Sequence, residues 1–451
     1  MRRLFLLTLL PSLALFVACG SSDDRSGASA SSNPSVPGAT VEASRDGGTG
    51  PLGTTTSSSG SSSSGSTSGG TITPPDPSDA APGVDATEAS TDPPPSGPPA
   101  VQFLGRFDTR DPAGPKASWP GVRIVARWSG TSVSVKMNEI DYSWQEGAPS
   151  EWDVTIDGNL LPKVVMQPGN HDYALATGLP AGEHTVELFK RSEAQNGITQ
   201  FLGFDFGGGV LLAPPGRKVR KIELIGDSQP AAFGIEGTMG NGDDCDGPDW
   251  SARWQNFHKS VGVDLANELN AELNGTIYSG KGIYKNIWHP DLETMPQLFL
   301  RADPIDNKST WDFALYTPSA VLIMMGGNDF AIGQPTDEGG PATLAQFTDA
   351  YEGFTRTIRE KYAEAHIFLI VSPSVSDGQP AGRQARTNVM AGIHTTVERR
   401  HAAGDDRVYE VIPPVATPDE LTACDGHGTP AFHQRLADQL APLVRAATGW
   451  K

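Results

Sequence analysis

Residues 221–237 read KIELIGDSQPAAFGIEG. The mostly apolar segment 222–225 stops abruptly at Gly226-Asp227-Ser228 and runs into a glycine-rich turn. A short apolar run that ends at turn residues is typical of a buried strand in a parallel sheet. Because open α/β sheets carry their chemistry beyond the carboxyl ends of the strands, Ser228 is a candidate nucleophile. The same tripeptide also serves as an ordinary turn or helix cap, so on its own it leaves the function open.

The chain from residue 215 onward alternates between predicted strands and predicted helices. The segment 343–365, for example, repeats large apolar residues at helical spacing on one stripe. We predict further helices at 254–270, 383–400 and 430–447, and further strands at 275–279, 320–325, 367–371 and 408–412. Such a β-α-β-α succession implies a parallel sheet with helices on both faces. We therefore predict an α/β domain over residues 215–451.

Residues 101–214 have the rhythm of an antiparallel β domain. Apolar and polar residues alternate at 133–137 and again at 152–156. Short strands separated by turns predict a β-sandwich, or jelly roll, for residues 101–214. The tryptophans of this domain allow two interpretations, carbohydrate binding or packing in the core, and packing is favoured. They are Trp119, Trp128, Trp144 and Trp152.

The first 100 residues predict export and a tether. Two arginines precede an apolar run that ends at Cys19, which is typical of a signal peptide over residues 1–19. Phe16-Val17-Ala18-Cys19 resembles the lipobox of bacterial lipoproteins, which implies a lipid on Cys19 and a membrane anchor facing the periplasm or the cell surface. The alternative is plain signal cleavage. Residues 20–100, rich in Ser, Gly and Pro, predict a disordered linker.

The charge of the chain excludes one class of partner. The formal net charge is −19, and no cluster of Lys and Arg residues offers a surface for nucleic acid. The acidic loop 241–249 lacks the ligand spacing of a calcium-binding loop, so we read it as solvated. We expect neither a metal nor another cofactor.

Four short motifs of the second domain carry reactive residue types. They are Gly226-Asp227-Ser228, Tyr278-Ser279-Gly280-Lys281-Gly282, Gly326-Gly327-Asn328-Asp329 and Cys424-Asp425-Gly426-His427. Each one alone is a plausible turn, but all four fall at the same end of the predicted sheet. A serine hydroxyl becomes a good nucleophile only when a base takes its proton, and a histidine suits that task near neutral pH. The motifs together indicate a serine hydrolase.

In this order the motifs resemble those of the SGNH (GDSL-type) hydrolase superfamily, which is named after a Ser, a Gly, an Asn and a His. The matching residues are Ser228, Gly280, Asn328 and His427. The resemblance implies that Ser228 is the nucleophile and His427 the base. It also implies an oxyanion hole made by the backbone amides of Ser228 and Gly280 and the side chain of Asn328.

Within that superfamily the chain is most similar to carbohydrate esterase family 2, whose members join a jelly roll to the hydrolase domain. Asp425 stands two residues before His427, as in that family, which implies a Ser-His-Asp triad; a backbone carbonyl that orients His427 is the alternative. The resemblance implies removal of O-acetyl groups from a xylan- or mannan-type polysaccharide, with the 6-O-acetyl group of hexopyranose units favoured. The alternatives are a lipase, a thioesterase, a peptidoglycan O-acetylesterase or a non-catalytic glycan-binding protein.

Two further expectations concern the surroundings of the site. Trp288 and Phe330 are candidates for an aromatic wall on which the sugar stacks, although packing under a loop explains them equally well. We expect Cys245 and Cys424 to form a disulfide, because both lie near predicted active-site loops and an exported protein meets oxidising conditions.

Overall fold

The computed structural model describes residues 96–140, 149–240, 245, 252–336 and 339–451. The predicted signal peptide with Cys19, nearly all of the predicted linker, Trp144 and most of the acidic loop lie outside the described residues. Within the described ranges, no helix is both long enough and apolar enough to cross a membrane.

The strands before residue 215 form two antiparallel sheets. In the described chain these strands are β1 (Gln102–Leu104), β2 (Lys116–Ala117), β3 (Arg123–Gly130), β4 (Val133–Ile140), β5 (Glu151–Ile156), β6 (Asn159–Val165), β7 (Gly169–Ala176), β8 (Gly182–Lys190), β9 (Ile198–Asp205) and β10 (Val210–Leu211). One sheet has the order β1-β3-β8-β5-β6, with β10 also paired to β3, and the other has the order β2-β9-β4-β7. This arrangement agrees with the predicted β-sandwich.

The alternation read in the sequence is that of strands with one face on the core. In β4, Val133, Val135 and Met137 are buried and the residues between them are not. The indole rings of Trp119, Trp128 and Trp152 are fully buried as well. The packing interpretation is therefore confirmed for these three tryptophans.

A parallel sheet organises the described residues after 220. Its strands are β11 (Lys221–Gly226), β12 (Glu272–Ile277), β13 (Ala320–Met324), β14 (His366–Ile370) and β15 (Val408–Val411), in the order β12-β11-β13-β14-β15. Every pairing in it is parallel. Because β11 lies between β12 and β13, the turn that carries Ser228 leaves the sheet between the two loops that carry Gly280 and Asn328.

Helices cover both faces of this sheet, as predicted. The α-helices of the described chain are α1 (Val261–Glu268), α2 (Met295–Leu298), α3 (Gly327–Phe330), α4 (Leu344–Lys361), α5 (Ala385–Ala402) and α6 (Pro430–Thr448). Alternate residues of β13 enter different cores: Leu322 packs with α1 and α6, whereas Val321 and Ile323 pack with α4 and α5. The predicted α/β fold is confirmed.

One predicted helix, 254–270, was too long. One 3-10 turn ends at Trp254 and a second spans Phe257–Lys259, so α1 begins only at Val261. The side chain of Asn256 accepts from the His258 amide at 3.1 Å, and that of Ser260 accepts from the Val263 amide at 3.3 Å. These two caps start new turns within the segment, so the apolar stripe does not lie on one continuous helix.

A buried ion pair joins the sandwich to the parallel sheet. The guanidinium of Arg106 lies 2.7 Å from the carboxylate of Glu223 in β11, and both side chains are fully buried. Thr276 and Tyr362 each donate a hydroxyl hydrogen bond of 2.6 Å to the same carboxylate. The strand β11, which leads into the turn of Ser228, is therefore held from the sandwich side as well as by its own sheet.

Candidate active site

The turn that carries Ser228 directly follows the end of β11. A Cβ atom at Gly226 would lie 2.1 Å from the ring of Pro230, so the sharp turn requires glycine there. The carbonyl of Asp227 accepts from the Ala231 amide at 3.2 Å, and the carbonyl of Ser228 accepts from the Phe233 amide at 3.2 Å. Ser228 is left half-buried at the carboxyl edge of the sheet.

His427 is held by the backbone of its own loop. Its Nδ1 lies 2.9 Å from the carbonyl oxygen of Cys424. A carbonyl only accepts, so the proton of the neutral ring stands on Nδ1 and leaves Nε2 free to take a proton. Burial lowers the pKa of His427 to about 4, which keeps the ring neutral at physiological pH.

Asp425 does not occupy the position expected of a buried triad acid. It is exposed to solvent and has a left-handed backbone with φ of 55°. The Nδ1 atom of His427 meets the Cys424 carbonyl instead, which is the alternative that the sequence left open. Asp425 nevertheless lines the same cavity as His427.

The loop of His427 is tied to the loop of Ser228. A disulfide joins Cys424 to Cys245, and the Cys424 amide donates to the carbonyl of Gly234 at 3.3 Å. The Gly428 amide donates to the side-chain oxygen of Gln229 at 3.1 Å. Base and nucleophile are thus positioned by contacts between their own loops.

Gly280 and Asn328 lie on the loops that follow the two strands beside β11. Gly280 has φ of +78°, a conformation that favours glycine. The amide nitrogen Nδ2 of Asn328 donates to the carbonyl of Lys281 at 2.8 Å, and its distance to the Asp227 carboxylate is 3.5 Å. Because the second contact is long, one of the two N–H groups of Asn328 is only weakly engaged.

All five predicted catalytic and oxyanion residues border one cavity of about 680 Å³. The cavity is lined by Gln195, Ser228, Phe233, Tyr278, Ser279, Gly280, Lys281, Asn286, Ile287, Trp288, Asp291, Asn328, Gln334, Asp425 and His427. Gln229 and Gly428, which directly follow Ser228 and His427 in the chain, bond to each other across 199 residues of sequence. Parallel strand order brings the four motifs together, as the sequence analysis expects.

The two aromatic candidates differ in outcome. Trp288 borders the cavity with 46% of its surface exposed, so its role in an aromatic wall stays a prediction. Phe330 is only 1% exposed and packs edge-on against Phe347, with 5.2 Å between ring centres. The prediction for Phe330 was wrong, because α3 begins at Gly327 and turns residue 330 into the core.

Asp227 and Asp329, which neighbour Ser228 and Asn328 in the chain, are buried. Burial raises the pKa of Asp227 to about 7 and that of Asp329 to about 6. Asp329 accepts from three consecutive backbone amides, those of Ile283, Tyr284 and Lys285, at 2.7–3.0 Å. It therefore fixes the loop just after Gly280, a role that the sequence analysis did not assign.

The sandwich domain also contributes to the site, which the sequence analysis missed. Gln195 borders the cavity, and the carboxylate of Glu193 accepts hydrogen bonds from Ser279. Burial raises the pKa of Glu193 to about 7. No motif marks these residues, so only the packing of the two domains could reveal them. Among the residues that the structure describes, no cluster of His, Cys, Asp or Glu is arranged to hold a metal ion.

Comparisons with known proteins give the family. Residues 103–215 match the family described as carbohydrate esterase 2 N-terminal, and residues 222–413 match the GDSL-like lipase/acylhydrolase family. The chain is 31% identical to a family two carbohydrate esterase from Clostridium thermocellum, solved in complex with cellohexaose; the match covers 78% of this chain and 100% of that one, with a TM-score of 0.68.

Two characterised sequences are also similar. The cellulase/esterase CelE of Acetivibrio thermocellus is 32% identical over 353 residues, which is 78% of this chain but only 40% of that protein. An acetylxylan esterase / glucomannan deacetylase of Cellvibrio japonicus is 24% identical over 356 residues, which is 78% of this chain and 90% of that protein. The chain therefore belongs to carbohydrate esterase family 2, a family of carboxylic ester hydrolases with a GDSL-like domain.

Proposed function

We propose that the protein is a serine esterase that removes O-acetyl groups from a polysaccharide. The observation that carries this proposal is the shared cavity of Ser228 and His427, in which the Cys424 carbonyl holds the histidine as a base. Gly280 and Asn328 border the same cavity. This set of groups suits attack on an ester carbonyl and stabilisation of the oxyanion that forms.

The reaction proceeds through an acetyl-enzyme. Ser228 Oγ attacks the carbonyl carbon while His427 Nε2 takes the hydroxyl proton. The negative charge on the carbonyl oxygen is stabilised by the Ser228 and Gly280 amides and by Asn328. The C–O bond to the sugar then breaks, and the sugar oxygen leaves with the proton from His427. Water, activated by the same histidine, hydrolyses the acetyl-serine to acetate and restores the enzyme.

The substrate class rests on the cavity wall and on the relatives. Trp288 offers an exposed ring beside the catalytic residues, and sugar rings stack well on such surfaces. Its relatives bear the names acetylxylan esterase / glucomannan deacetylase and cellulase/esterase. We propose a xylan- or mannan-type substrate and a preference for the 6-O-acetyl group of hexopyranose units, because a primary position projects from the ring toward a recessed nucleophile.

A substrate panel tests this proposal. The panel contains acetylated xylan and glucomannan oligosaccharides and p-nitrophenyl esters of increasing acyl length, with Ser228→Ala as the inactive control. We expect fastest turnover on acetyl esters and, by NMR, loss of 6-O-acetyl before the 2-O- and 3-O-acetyl groups. Preference for long acyl chains or for thioesters would refute the acetyl-glycan assignment. Release of 2-O- or 3-O-acetyl first, after allowance for acyl migration, would refute the positional preference.

We also propose that a lipid on Cys19 anchors the protein to a bacterial membrane. The support is the sequence alone, where Cys19 ends an apolar run and precedes a long polar tether. Expression with a radiolabelled fatty acid tests this. Label in the wild-type protein that is lost in Cys19→Ser supports the anchor, whereas an unlabelled mature protein contradicts it.

A further inference from the structure

We propose that Glu193 of the sandwich domain is a positioning residue for the oxyanion-hole loop of the hydrolase domain, an inference that rests on the proposed esterase function. The segment between β8 and β9 forms the 3-10 turn Ala194–Asn196 and contacts the hydrolase domain through hydrogen bonds of Glu193 with Gln255 and Ser279. All residues from 191 to 197 are buried. This segment is therefore part of the interior around the cavity rather than a surface loop.

The carboxylate of Glu193 holds the residue just before Gly280. Its Oε2 atom accepts from the Ser279 amide at 3.0 Å and from the Ser279 hydroxyl at 2.5 Å. On the other side, the carbonyl of Gly280 accepts from the Ile287 amide at 2.9 Å. The peptide group that carries the Gly280 N–H thus lies between two hydrogen-bonded groups, the Ser279 amide and the Gly280 carbonyl. The partner of the Ser279 amide comes from the sandwich domain.

The backbone of Glu193 is held on both sides of the residue, and its side chain is buried. Its amide donates to the side-chain oxygen of Gln255 at 2.9 Å, and its carbonyl accepts from the buried ammonium of Lys190 at 3.0 Å. Its side chain has no exposed surface. An acceptor that is held in this way orients Ser279 without touching the substrate.

The Gly280 N–H group acts mainly in the transition state, where negative charge develops on the carbonyl oxygen of the substrate. An oxyanion donor acts on the transition state and hardly on the bound substrate, so its displacement lowers kcat and changes KM little. Substitution of a residue that merely joins the two domains would instead lower stability, without a selective fall in kcat. His258 supplies the comparison, because its Nδ1 lies 3.0 Å from the Asp153 carboxylate of the sandwich domain and it does not border the cavity.

The experiment measures kcat, KM and thermal unfolding for four variants of the full-length protein, Glu193→Leu, Glu193→Gln, Ser279→Ala and His258→Ala, on p-nitrophenyl acetate. We expect Glu193→Leu to lower kcat about 10- to 100-fold, less than the loss of a whole oxyanion donor, with KM within about threefold. Glu193→Gln should retain more of kcat, because its amide oxygen still accepts from Ser279. Ser279→Ala should lower kcat less than Glu193→Leu, since the amide hydrogen bond remains. His258→Ala should keep the wild-type kcat.

The possible results distinguish a failure of the proposed esterase function from a failure of the role assigned to Glu193. If the unchanged protein hydrolyses no ester, the proposed function fails and this inference with it. If the wild type is active and folded Glu193→Leu has a wild-type kcat, the inference alone is overturned. An equal loss of kcat in His258→Ala also overturns it, because a general interface effect would then explain the result. Should Glu193→Leu not fold, Ser279→Ala decides, and an unchanged kcat in that variant overturns the inference.

Discussion

At the scale of single residues, the orientation of His427 sets the chemistry of the site. A catalytic triad places a carboxylate at Nδ1, where it fixes the tautomer and stabilises the imidazolium. Here the Cys424 carbonyl lies at Nδ1 and Asp425 is exposed. A neutral carbonyl fixes the tautomer equally well but provides less charge, so Asp425 should matter less than a triad acid.

The substitution Asp425→Asn tests this point. We expect kcat on p-nitrophenyl acetate to fall by less than about tenfold, whereas loss of a triad acid costs about 10⁴-fold. A steady-state comparison with the wild type, at equal content of folded protein, measures the difference. A loss of the larger size would restore the Ser-His-Asp triad that the family spacing implies.

The lowered pKa of His427 predicts the acid limb of the pH profile. The ring accepts a proton from Ser228 only when it is neutral, and a histidine with an unperturbed pKa would lose this capacity below about pH 6.5. Burial lowers the pKa to about 4, so the neutral base persists to lower pH. We expect kcat/KM to fall with an apparent pKa well below 6.5, and a limb at or above 6.5 would contradict this environment for the ring.

At the scale of elements, the carboxyl ends of the parallel strands explain what the sequence could predict. Ser228, Gly280 and Asn328 each follow a strand of one sheet, so a motif placed after an apolar run was enough to locate them. The same reasoning failed for Phe330, because the phase of the short helix α3 is set by packing against Phe347. It failed for the start of α1, where Ser260 caps the helix late.

The disulfide between Cys245 and Cys424 should stabilise the loop that carries His427. It closes a separation of 179 residues, and removing a disulfide from a folded domain typically costs about 2–5 kcal/mol of unfolding free energy. We expect Cys424→Ser to lower the unfolding free energy by about this amount in chemical denaturation. Thiol titration of the unfolded, unreduced Cys19→Ser variant, in which only these two cysteines remain, should detect no free thiol. Two free thiols would contradict the pairing.

At the scale of the whole molecule, the sandwich is part of the hydrolase rather than a separate module. Gln195 borders the cavity from the sandwich domain, Glu193 bonds to the cavity residue Ser279, and Arg106 bonds to Glu223 of β11 inside the fold. Sequence reasoning could not foresee these contacts, since they depend on how two domains pack and no local pattern records that. The catalytic motifs were predictable and their supports from the other domain were not.

The ion pair between Arg106 and Glu223 should contribute strongly to the stability of the interface between the two domains. Removing one partner of a fully buried pair leaves an uncompensated charge and costs about 3–5 kcal/mol. We therefore expect Glu223→Ala to lower the unfolding free energy by about this amount in chemical denaturation. The control Asp349→Ala breaks the exposed pair with Arg399 and should cost less than about 1 kcal/mol. If the two variants lower the unfolding free energy equally, the buried pair contributes no more to stability than the exposed pair.

The most direct test of the central claim is the initial rate of acetate release by Ser228→Ala from an acetylated glucomannan oligosaccharide, compared with wild type. Ser228 is the nucleophile in our account, so the rate should fall by about a thousandfold or more while the thermal unfolding profile stays the same. Release of acetate by folded Ser228→Ala at the wild-type rate would contradict the assignment of the nucleophile and the acetyl-enzyme that depends on it.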